Sequence, residues 1–155
     1  MRLKEIMLED TKTCRSNQNL LDAARLMRQV NCGVVPIIDE NKKVLGMLTD
    51  RDICLCVADK DQKLSDIRIS EAMTPKAYSC HPNDSIDDAL ETMRQHQIRR
   101  VPIVDDKGVL QGIVTMDDII CKAAKKLDAT EARRSYEEVV DTLQNIHEHQ
   151  GAAVF

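Results

Sequence analysis

Aromatic residues are almost absent from this chain. Among its 155 residues there are no Trp, one Phe and two Tyr, so aromatic side chains make up 2% of the sequence. Sites for single-stranded nucleic acid stack bases on aromatic rings, and sites for phosphate backbones need a basic face. This chain has few rings and a formal net charge of −4. We therefore expect an aliphatic core and no nucleic-acid partner.

Long apolar stretches are also missing. No run approaches the ~18 residues that a membrane-spanning helix needs, and the opening residues contain no apolar stretch of the length typical of a secretory signal. With 43% hydrophobic and 31% charged residues, the composition is that of a globular domain. These features favour a cytoplasmic location and no membrane partner.

The sequence contains none of the short signatures of common active sites. No phosphate loop, G-x-G-x-x-G, H-E-x-x-H or G-x-S-x-G pattern occurs, so we predict a protein that is not an enzyme and requires no cofactor. The cysteines lack the paired spacing of a zinc site, and His147-x-His149 lies in a polar stretch with no matching ligand. We predict no metal and interpret the thiols as small buried apolar groups: Cys14, Cys32, Cys54, Cys56, Cys80 and Cys121.

The dominant feature of the sequence is an internal repeat. Residues 7–53 align without a gap with residues 73–119, and 16 of the 47 aligned positions are identical. A match over so long a stretch indicates duplication of one structural unit. The identities include Asp22/Asp88, Met27/Met93, Pro36/Pro102, Gly46/Gly112, Thr49/Thr115 and Asp52/Asp118.

Each copy predicts the same order of elements. A short helix and a brief extended segment precede an amphipathic helix, which Asn19 caps in copy one and Ser85 in copy two. A buried strand, a charged turn and a second strand form a hairpin, and a last helix starts after Thr49 or Thr115. The predicted short helices and strands are Leu3–Met7, Val34–Ile38 and Val44–Leu48 in copy one, and Ile69–Met73, Val101–Val104 and Val109–Val114 in copy two.

The predicted boundaries follow from this pattern. Residues 1–58 and 69–126 are the two repeats, 59–68 is a polar linker, and 128–150 is a C-terminal helix. One copy of about 50 residues buries too little surface for ordinary stability, whereas two copies can share a core. We predict an α/β fold of two pseudo-symmetric β-α-β-β-α repeats packed as one module, with two related clefts between the copies.

The chemically informative string is Gly-Met-Leu-Thr49-Asp-Arg-Asp52, which recurs as Gly-Ile-Val-Thr115-Met-Asp-Asp118. A Thr followed three residues later by Asp at a helix start has the form of a capping box, which is a purely structural device. The same place offers free N–H groups and the positive end of a dipole to a polar ligand. A carboxylate there can accept hydrogen bonds from both hydroxyls of a ribose. The residues are compatible with both interpretations.

Together the two copies resemble CBS domains, named for cystathionine β-synthase. The resemblance covers residues 1–125 and depends on Val-Val-Pro36-Ile-Ile-Asp39, on Arg-Val-Pro102-Ile-Val-Asp105, on the two T-x-x-D strings and on Ala-Met-Thr-Pro75 before copy two. It implies a tandem pair that acts as a regulatory module for AMP, ADP or ATP, and in some members for S-adenosylmethionine or NAD. It also implies a homodimer; a sensor of this kind would regulate an effector protein that the sequence does not identify.

The same resemblance assigns roles to individual residues. Asp52 and Asp118 would hold ribose with help from Thr49 and Thr115, and each cleft would be completed by the opposite copy. The cleft of Asp118 would use Ile113 with the regions of Lys12 and Cys32-Gly33, and the cleft of Asp52 would use Met47 with the regions of Tyr78 and Ile98-Arg99.

A phosphate group needs a cation, and three arginines are candidates: Arg51, Arg99 and Arg100. An arginine fork suits phosphate, although Arg99 and Arg100 are also compatible with merely covering a strand end. The copies differ here, since Arg51 aligns with Asp117 and Arg99 aligns with Gly33. We therefore predict two clefts of unequal affinity.

The C-terminal segment carries an apolar stripe at helical spacing, opposite a face rich in Glu, Arg and Gln. We expect this helix to pack on its own module or on a second copy in a dimer, and docking to a separate effector is the alternative. The stripe consists of Ala132, Tyr136, Val139, Val140, Leu143 and Ile146.

For the whole chain, the alternative to a nucleotide sensor is a ligand-free dimerisation or scaffold module in which Thr49 and Asp52 act only as a cap.

Overall fold

The computed structural model describes residues 1–123 and 129–148, which fall into two compact units. The copy-1 unit contains Asp10–Ala77 and the short stretch Lys107–Leu110. The copy-2 unit contains Met1–Glu9, Tyr78–Asp106 and the described residues from Gln111 onward. Each unit combines helices with a small sheet, so the predicted α/β class with two repeats is confirmed.

The copy-1 unit is built on a three-stranded sheet in the order β1 (Cys14–Arg15), β2 (Val34–Ile38) and β3 (Val44–Thr49). β1 runs parallel to β2, and β2 and β3 form the predicted antiparallel hairpin. Two helices that contact each other, α1 (Leu20–Gln29) and α2 (Asp50–Lys60), complete the unit. The core is aliphatic as predicted, and its members with no exposed surface include Leu20, Val35, Ile37 and Leu48.

The copy-2 unit repeats this plan with two departures. The hairpin of β4 (Arg100–Val104) and β5 (Leu110–Thr115) is present, but only a single parallel bridge from Cys80 to Ile103 stands where copy one has β1. Helix α3 (Ile86–His96) corresponds to α1. The last helix, α4 (Met116–Asp118), continues as a π-helix over Ile119–Ala123, whereas α2 is a regular α-helix throughout.

The short helices that open the two sequence copies are exchanged between the units. The first, Leu3–Glu5, belongs to the copy-2 unit, where Leu3 is 0% and Ile6 1% exposed. The second, Ile69–Glu71, belongs to the copy-1 unit. Ile67, at the end of the predicted polar linker, is also 0% exposed in that core. A spatial unit therefore combines most of one sequence copy with the leading segment of the other.

Two aligned glycines lie where these exchanged segments cross the sheets. Thr74 and Met47 exchange backbone hydrogen bonds in the copy-1 unit, and Leu8 and Ile113 do so in the copy-2 unit. A Cβ on Gly46 would overlap the carbonyl oxygen of Thr74, and one on Gly112 would lie 2.9 Å from the carbonyl oxygen of Leu8. The close approach of two backbones requires glycine at both positions.

The C-terminal helix α5 (Ala129–Glu148) packs on α3 within the copy-2 unit. Val139 is 4% and Ile146 1% exposed, and Leu143 packs partly buried against the same cluster, so the predicted packing on its own module is confirmed for this face. Tyr136 and Val140 are exposed, so including them in a buried stripe was wrong. The side chain of Ala132 and positions 128, 149 and 150 of the predicted helix lie outside the described residues. None of the helices within residues 1–123 and 129–148 has the length and apolarity needed to cross a membrane.

Candidate ligand site

The junction of β3 and α2 is a complete capping box. The hydroxyl of Thr49 accepts a hydrogen bond from the Asp52 N–H at 3.1 Å. The Asp52 Oδ2 in turn accepts from the Thr49 N–H at 2.8 Å and from the Thr49 hydroxyl at 2.7 Å. The second carboxylate oxygen, Oδ1, accepts no hydrogen bond from any described residue. The cap therefore uses one oxygen of a half-buried carboxylate and leaves the other available.

The junction of β5 and α4 has the same construction. Thr115 Oγ1 accepts from the Asp118 N–H at 3.1 Å, and the Asp118 Oδ2 accepts from the Thr115 N–H at 3.1 Å and the Thr115 hydroxyl at 2.7 Å. In both copies an extended residue ends the strand and positions the carboxylate one helical turn away. The predicted capping boxes are confirmed at both T-x-x-D strings.

Each capped helix start is bonded to the residue that precedes the first hairpin strand. The Gly33 carbonyl accepts from the Asp50 N–H at 3.1 Å in the copy-1 unit, and the Arg99 carbonyl accepts from the Met116 N–H at 2.9 Å in the copy-2 unit. Within its own unit, then, Gly33 lies beside the Thr49–Asp52 cap and Arg99 beside the Thr115–Asp118 cap.

The surroundings of the two caps differ in charge. A carboxylate oxygen of Asp50 lies 2.9 Å from the point where Gly33 would carry a Cβ, and the other accepts from the Arg51 N–H at 2.8 Å. The aligned residue in copy two is Met116, which is 4% exposed. The sequence predictions omitted Asp50. The sequence did contain a signal for it: the alignment of the two copies places the acidic Asp50 opposite the apolar Met116.

The other predicted site residues are distributed over both units. Lys12 pairs with its neighbour Asp10 at 2.9 Å on the surface, and the side chain of Arg51 makes no ion pair with the described residues. Ile113 is 6% exposed, Arg99 is exposed and Arg100 is half-buried at the start of β4. The pairing of Lys12 and Gly33 with the cleft of Asp118, and of Tyr78 and Arg99 with that of Asp52, stays a prediction.

Tyr78 takes part in an aromatic contact that the sequence did not indicate. Its ring stacks on that of His96 with centroids 3.4 Å apart and an angle of 10° between the planes. Both side chains are half-buried, and His96 is the last residue of α3.

The cysteines divide into buried, half-buried and exposed groups, and Cys32 and Cys56 are half-buried. Cys14 and Cys80 are buried as predicted, and burial raises the pKa of the Cys14 thiol to about 11 and also raises that of Cys80. Cys54 and Cys121 are exposed, so the prediction of buried thiols was wrong for these two. Within the part of the chain that the structure describes, no three His, Cys, Asp or Glu side chains are grouped as metal ligands.

Comparison with known proteins assigns the fold to a family. The CBS domain pair of protein MJ0100, solved in complex with 5′-methylthioadenosine and S-adenosyl-L-methionine, has a TM-score of 0.72 and 30% identity and covers 82% of this chain and 98% of its own. Hypoxic Response Protein I, solved with two coordinated zinc ions, has a TM-score of 0.72 and 31% identity and covers 82% and 99%. Both are similar to this chain over most of their length.

The sequence comparisons agree. The CBS domain profile matches residues 3–59 and 65–125. The CBS domain-containing protein YhcV of Bacillus subtilis (strain 168) is 36% identical over 145 residues, which are 94% of this chain and 98% of YhcV. This chain belongs to the CBS domain family and contains two CBS repeats.

Proposed function

We propose that this chain is a non-catalytic regulatory module that binds an adenine nucleotide, of the AMP, ADP or ATP class, through its two Thr–Asp helix starts. The observation that carries the proposal is the half-used carboxylate of Asp52. Its Oδ2 completes the cap at 2.7 and 2.8 Å, and its Oδ1 has no partner among the described residues. An oxygen held rigidly at a helix start is suited to accept hydrogen bonds from a ribose diol.

The charges near the caps suit the rest of such a ligand. The helix starts at Asp50 and Met116 carry positive dipole ends, and Arg51, Arg99 and Arg100 are the candidate cations for phosphate. Asp50 lies beside one cap and Met116 beside the other. The next residue is Arg51 at the first helix start and Asp117 at the second, so the charges that a bound phosphate would meet differ between the two sites. We therefore propose that the two sites differ in affinity for a charged nucleotide.

A relative supports the class of ligand. The MJ0100 pair, 30% identical to this chain, was solved with two ligands that both contain adenosine. Adenosine carries the ribose diol that the Asp52 and Asp118 carboxylates would hold. Our proposal includes S-adenosylmethionine and NAD as alternatives to the nucleotides, together with a cytoplasmic homodimer that acts on an effector protein.

Melting temperature in the presence of candidate ligands tests the proposal. AMP, ADP, ATP, NAD and S-adenosylmethionine are added separately at 1 mM, and at least one is expected to raise the melting temperature, because a ligand that binds the native state stabilises it by mass action. At 100 times its Kd, the ligand contributes about 2.7 kcal/mol. No shift with any of the five would contradict the proposal.

The chain offers a matched control for the site. Ser85 and Asp88 form a third capping box, at the start of α3, with the same Thr/Ser–Asp geometry of 2.7 and 2.8 Å. Asp52→Ala or Asp118→Ala should remove a ligand-induced rise in melting temperature. Asp88→Ala should lower the melting temperature of the ligand-free protein and leave the ligand-induced rise in place. Equal losses of the shift in all three variants would mean that only helix stability had changed.

A second candidate function follows from the same caps. Because the hydrogen bonds of Thr49–Asp52 and Thr115–Asp118 are complete without a ligand, the module is also suited to be a ligand-free dimerisation or scaffold unit. This alternative predicts the same melting temperature with and without every nucleotide, and identical behaviour of Asp52→Ala and Asp88→Ala.

A further inference from the structure

The helix that starts at the second cap has only a short regular part. Its α-helical residues are Met116–Asp118 and the next turn, Ile119–Ala123, is a π-helix, whereas α2 is α-helical over Asp50–Lys60. A π-helical turn is rare and occurs often at functional sites. A helix start with so few regular residues gains little from its own hydrogen bonds, so packing must hold it in place.

The C-terminal helix α5 contributes to that packing. It contacts the π-helical segment as well as α3. Met116 precedes Asp118 by two residues, and Ile119 follows it directly. Both are buried, at 4% and 1% exposed, in the cluster that also contains Val139 and Ile146 of α5. The apolar stripe of α5 therefore belongs to the same core as the residues on either side of Asp118.

Met116 connects this core to the cap. Its side chain lies in the buried cluster, and its N–H donates to the Arg99 carbonyl at 2.9 Å. The residue before it, Thr115, makes the reciprocal hydrogen bonds with Asp118 at 3.1 and 2.7 Å. Because these bonds join neighbouring residues of one short helix start, a displacement of Met116 displaces the cap as well.

The polar link between α5 and α3 lies at the surface. Asp141 pairs with Arg94 at 2.9 Å, and the two side chains are 55% and 41% exposed. Exposed ion pairs stabilise little, so α5 stays docked chiefly through its apolar stripe. Its other side is open, with Tyr136 45% and Val140 54% exposed. A terminal helix attached along one stripe can open without unfolding the rest of its unit.

We propose that docking of α5 is coupled to ligand binding at the Thr115–Asp118 helix start, so that α5 is the element that regulates this site. Docked α5 holds Asp118 in its binding geometry through Met116 and Ile119, and a bound ligand in turn holds α5 in place. The coupling is reciprocal, because each equilibrium changes the other by the same factor. This inference rests on the proposed function, since it needs a ligand at the second helix start.

Hydrogen exchange of the α5 amides is the first test. The full chain carries Asp52→Ala, so that only the second helix start remains, and AMP, ADP or ATP is added at the concentration of the melting experiment. At least one nucleotide should slow the exchange of α5 about fivefold or more, the lower end of typical couplings, and should slow that of α1 less. Equal slowing in α1 and α5 would reflect only the global stabilisation that any ligand gives, and would overturn the proposal.

Two adjacent valines of α5 provide matched variants. Val139 is 4% and Val140 54% exposed, so Val139→Asp should undock α5 and Val140→Asp should not. In the same Asp52→Ala chain, Val139→Asp is expected to weaken nucleotide binding about fivefold or more in calorimetry, and Val140→Asp to leave it unchanged. Equal affinities in the two variants would overturn the proposal. Circular dichroism shows whether Val139→Asp folds, and if it does not, the exchange measurement decides alone.

The outcomes separate this inference from the proposed function. A nucleotide that raises the melting temperature and leaves the exchange of α5 unchanged would overturn the coupling and keep the proposed function. Slower exchange of α5 that persists when Asp118→Ala is added would place the ligand elsewhere, and would also overturn the coupling. No effect of any nucleotide on melting temperature or exchange would overturn both.

Discussion

The two helix starts of this protein have the same internal construction and different surroundings. Thr49–Asp52 and Thr115–Asp118 make the same three hydrogen bonds, each with one carboxylate oxygen. Beside the first cap stands the carboxylate of Asp50, and beside the second stands the buried Met116. The duplication has kept the cap and changed the charge next to it. This difference is the physical basis for expecting two sites that do not bind a charged ligand equally.

The largest effect should come from the two glycines under the exchanged segments. A Cβ on Gly46 would overlap backbone, the Thr74 carbonyl oxygen, whereas one on Gly112 would lie 2.9 Å from the Leu8 oxygen. Gly46→Ala should therefore lower the free energy of unfolding by about 3 kcal/mol and Gly112→Ala by about 1 kcal/mol. Urea unfolding of both variants measures the difference. A larger loss of unfolding free energy in Gly112→Ala than in Gly46→Ala would contradict the closer backbone contact at Gly46.

The caps should prove equivalent in stability, although their surroundings differ. Thr49→Ala and Thr115→Ala each remove one hydrogen-bonded cap, which costs about 1 kcal/mol. Ser85→Ala, at the start of α3, is the reference for a cap outside the candidate site and should cost the same amount. The free energy of unfolding of the ligand-free variants is the measurement. A loss for Thr49→Ala or Thr115→Ala several times that for Ser85→Ala would show that these caps stabilise more of the structure than one helix end.

The hairpin turns offer a smaller contrast between the copies. Lys42 has a φ of 61° and its aligned residue Gly108 a φ of 78°, so copy one places a lysine where copy two has glycine. Left-handed backbone is unfavourable for residues with a Cβ, so Lys42→Gly should stabilise by about 0.5 kcal/mol and Gly108→Lys should destabilise by about 1 kcal/mol. Thermal unfolding of the two variants checks both signs, and a stabilising Gly108→Lys would contradict the turn geometry.

At neutral pH, the smallest expected effect on stability comes from the buried thiols. Burial raises the pKa of Cys14 to about 11, so the folded state holds the proton more tightly than the unfolded chain, whose thiols have a pKa of about 8.5. The stability that Cys14 contributes is present below about pH 8.5 and is lost as the pH rises toward 11. Cys14→Ser should flatten this alkaline decline in unfolding free energy. At pH 7.5, Cys54 and Cys121 should react with a thiol reagent well before Cys14 and Cys80, and the reverse order would show that the burial is wrong.

The local features of the fold could be predicted because they depend on neighbouring residues. The Val34–Ile38 strand has the predicted bounds, the other hairpin strands begin or end within one residue of theirs, and Asn19 and Ser85 cap their helices. Each of these depends on a short apolar run or on one polar side chain at a helix start. Such signals are contained in a few consecutive residues.

The exchange of leading segments could not be predicted in the same way. Leu3 and Ile69 each lie in the short helix that opens a sequence copy, and the neighbouring residues do not indicate which unit each helix packs into. The exposure of Tyr136 and Val140 was missed for a related reason, since helical spacing marks a stripe but not the width of the surface that covers it. In the candidate site, the caps followed from T-x-x-D, and the position of Asp50 over Gly33 required the fold.

The most direct measurement is the stoichiometry of ligand binding by calorimetry. ADP is titrated into the full chain and into the Asp52→Ala, Asp118→Ala and Asp88→Ala variants. We expect unequal sites, so that one of the first two variants abolishes the stronger binding step and Asp88→Ala leaves both steps intact. Two equal sites, or a stronger binding step that is unchanged in both Asp52→Ala and Asp118→Ala, would contradict the account.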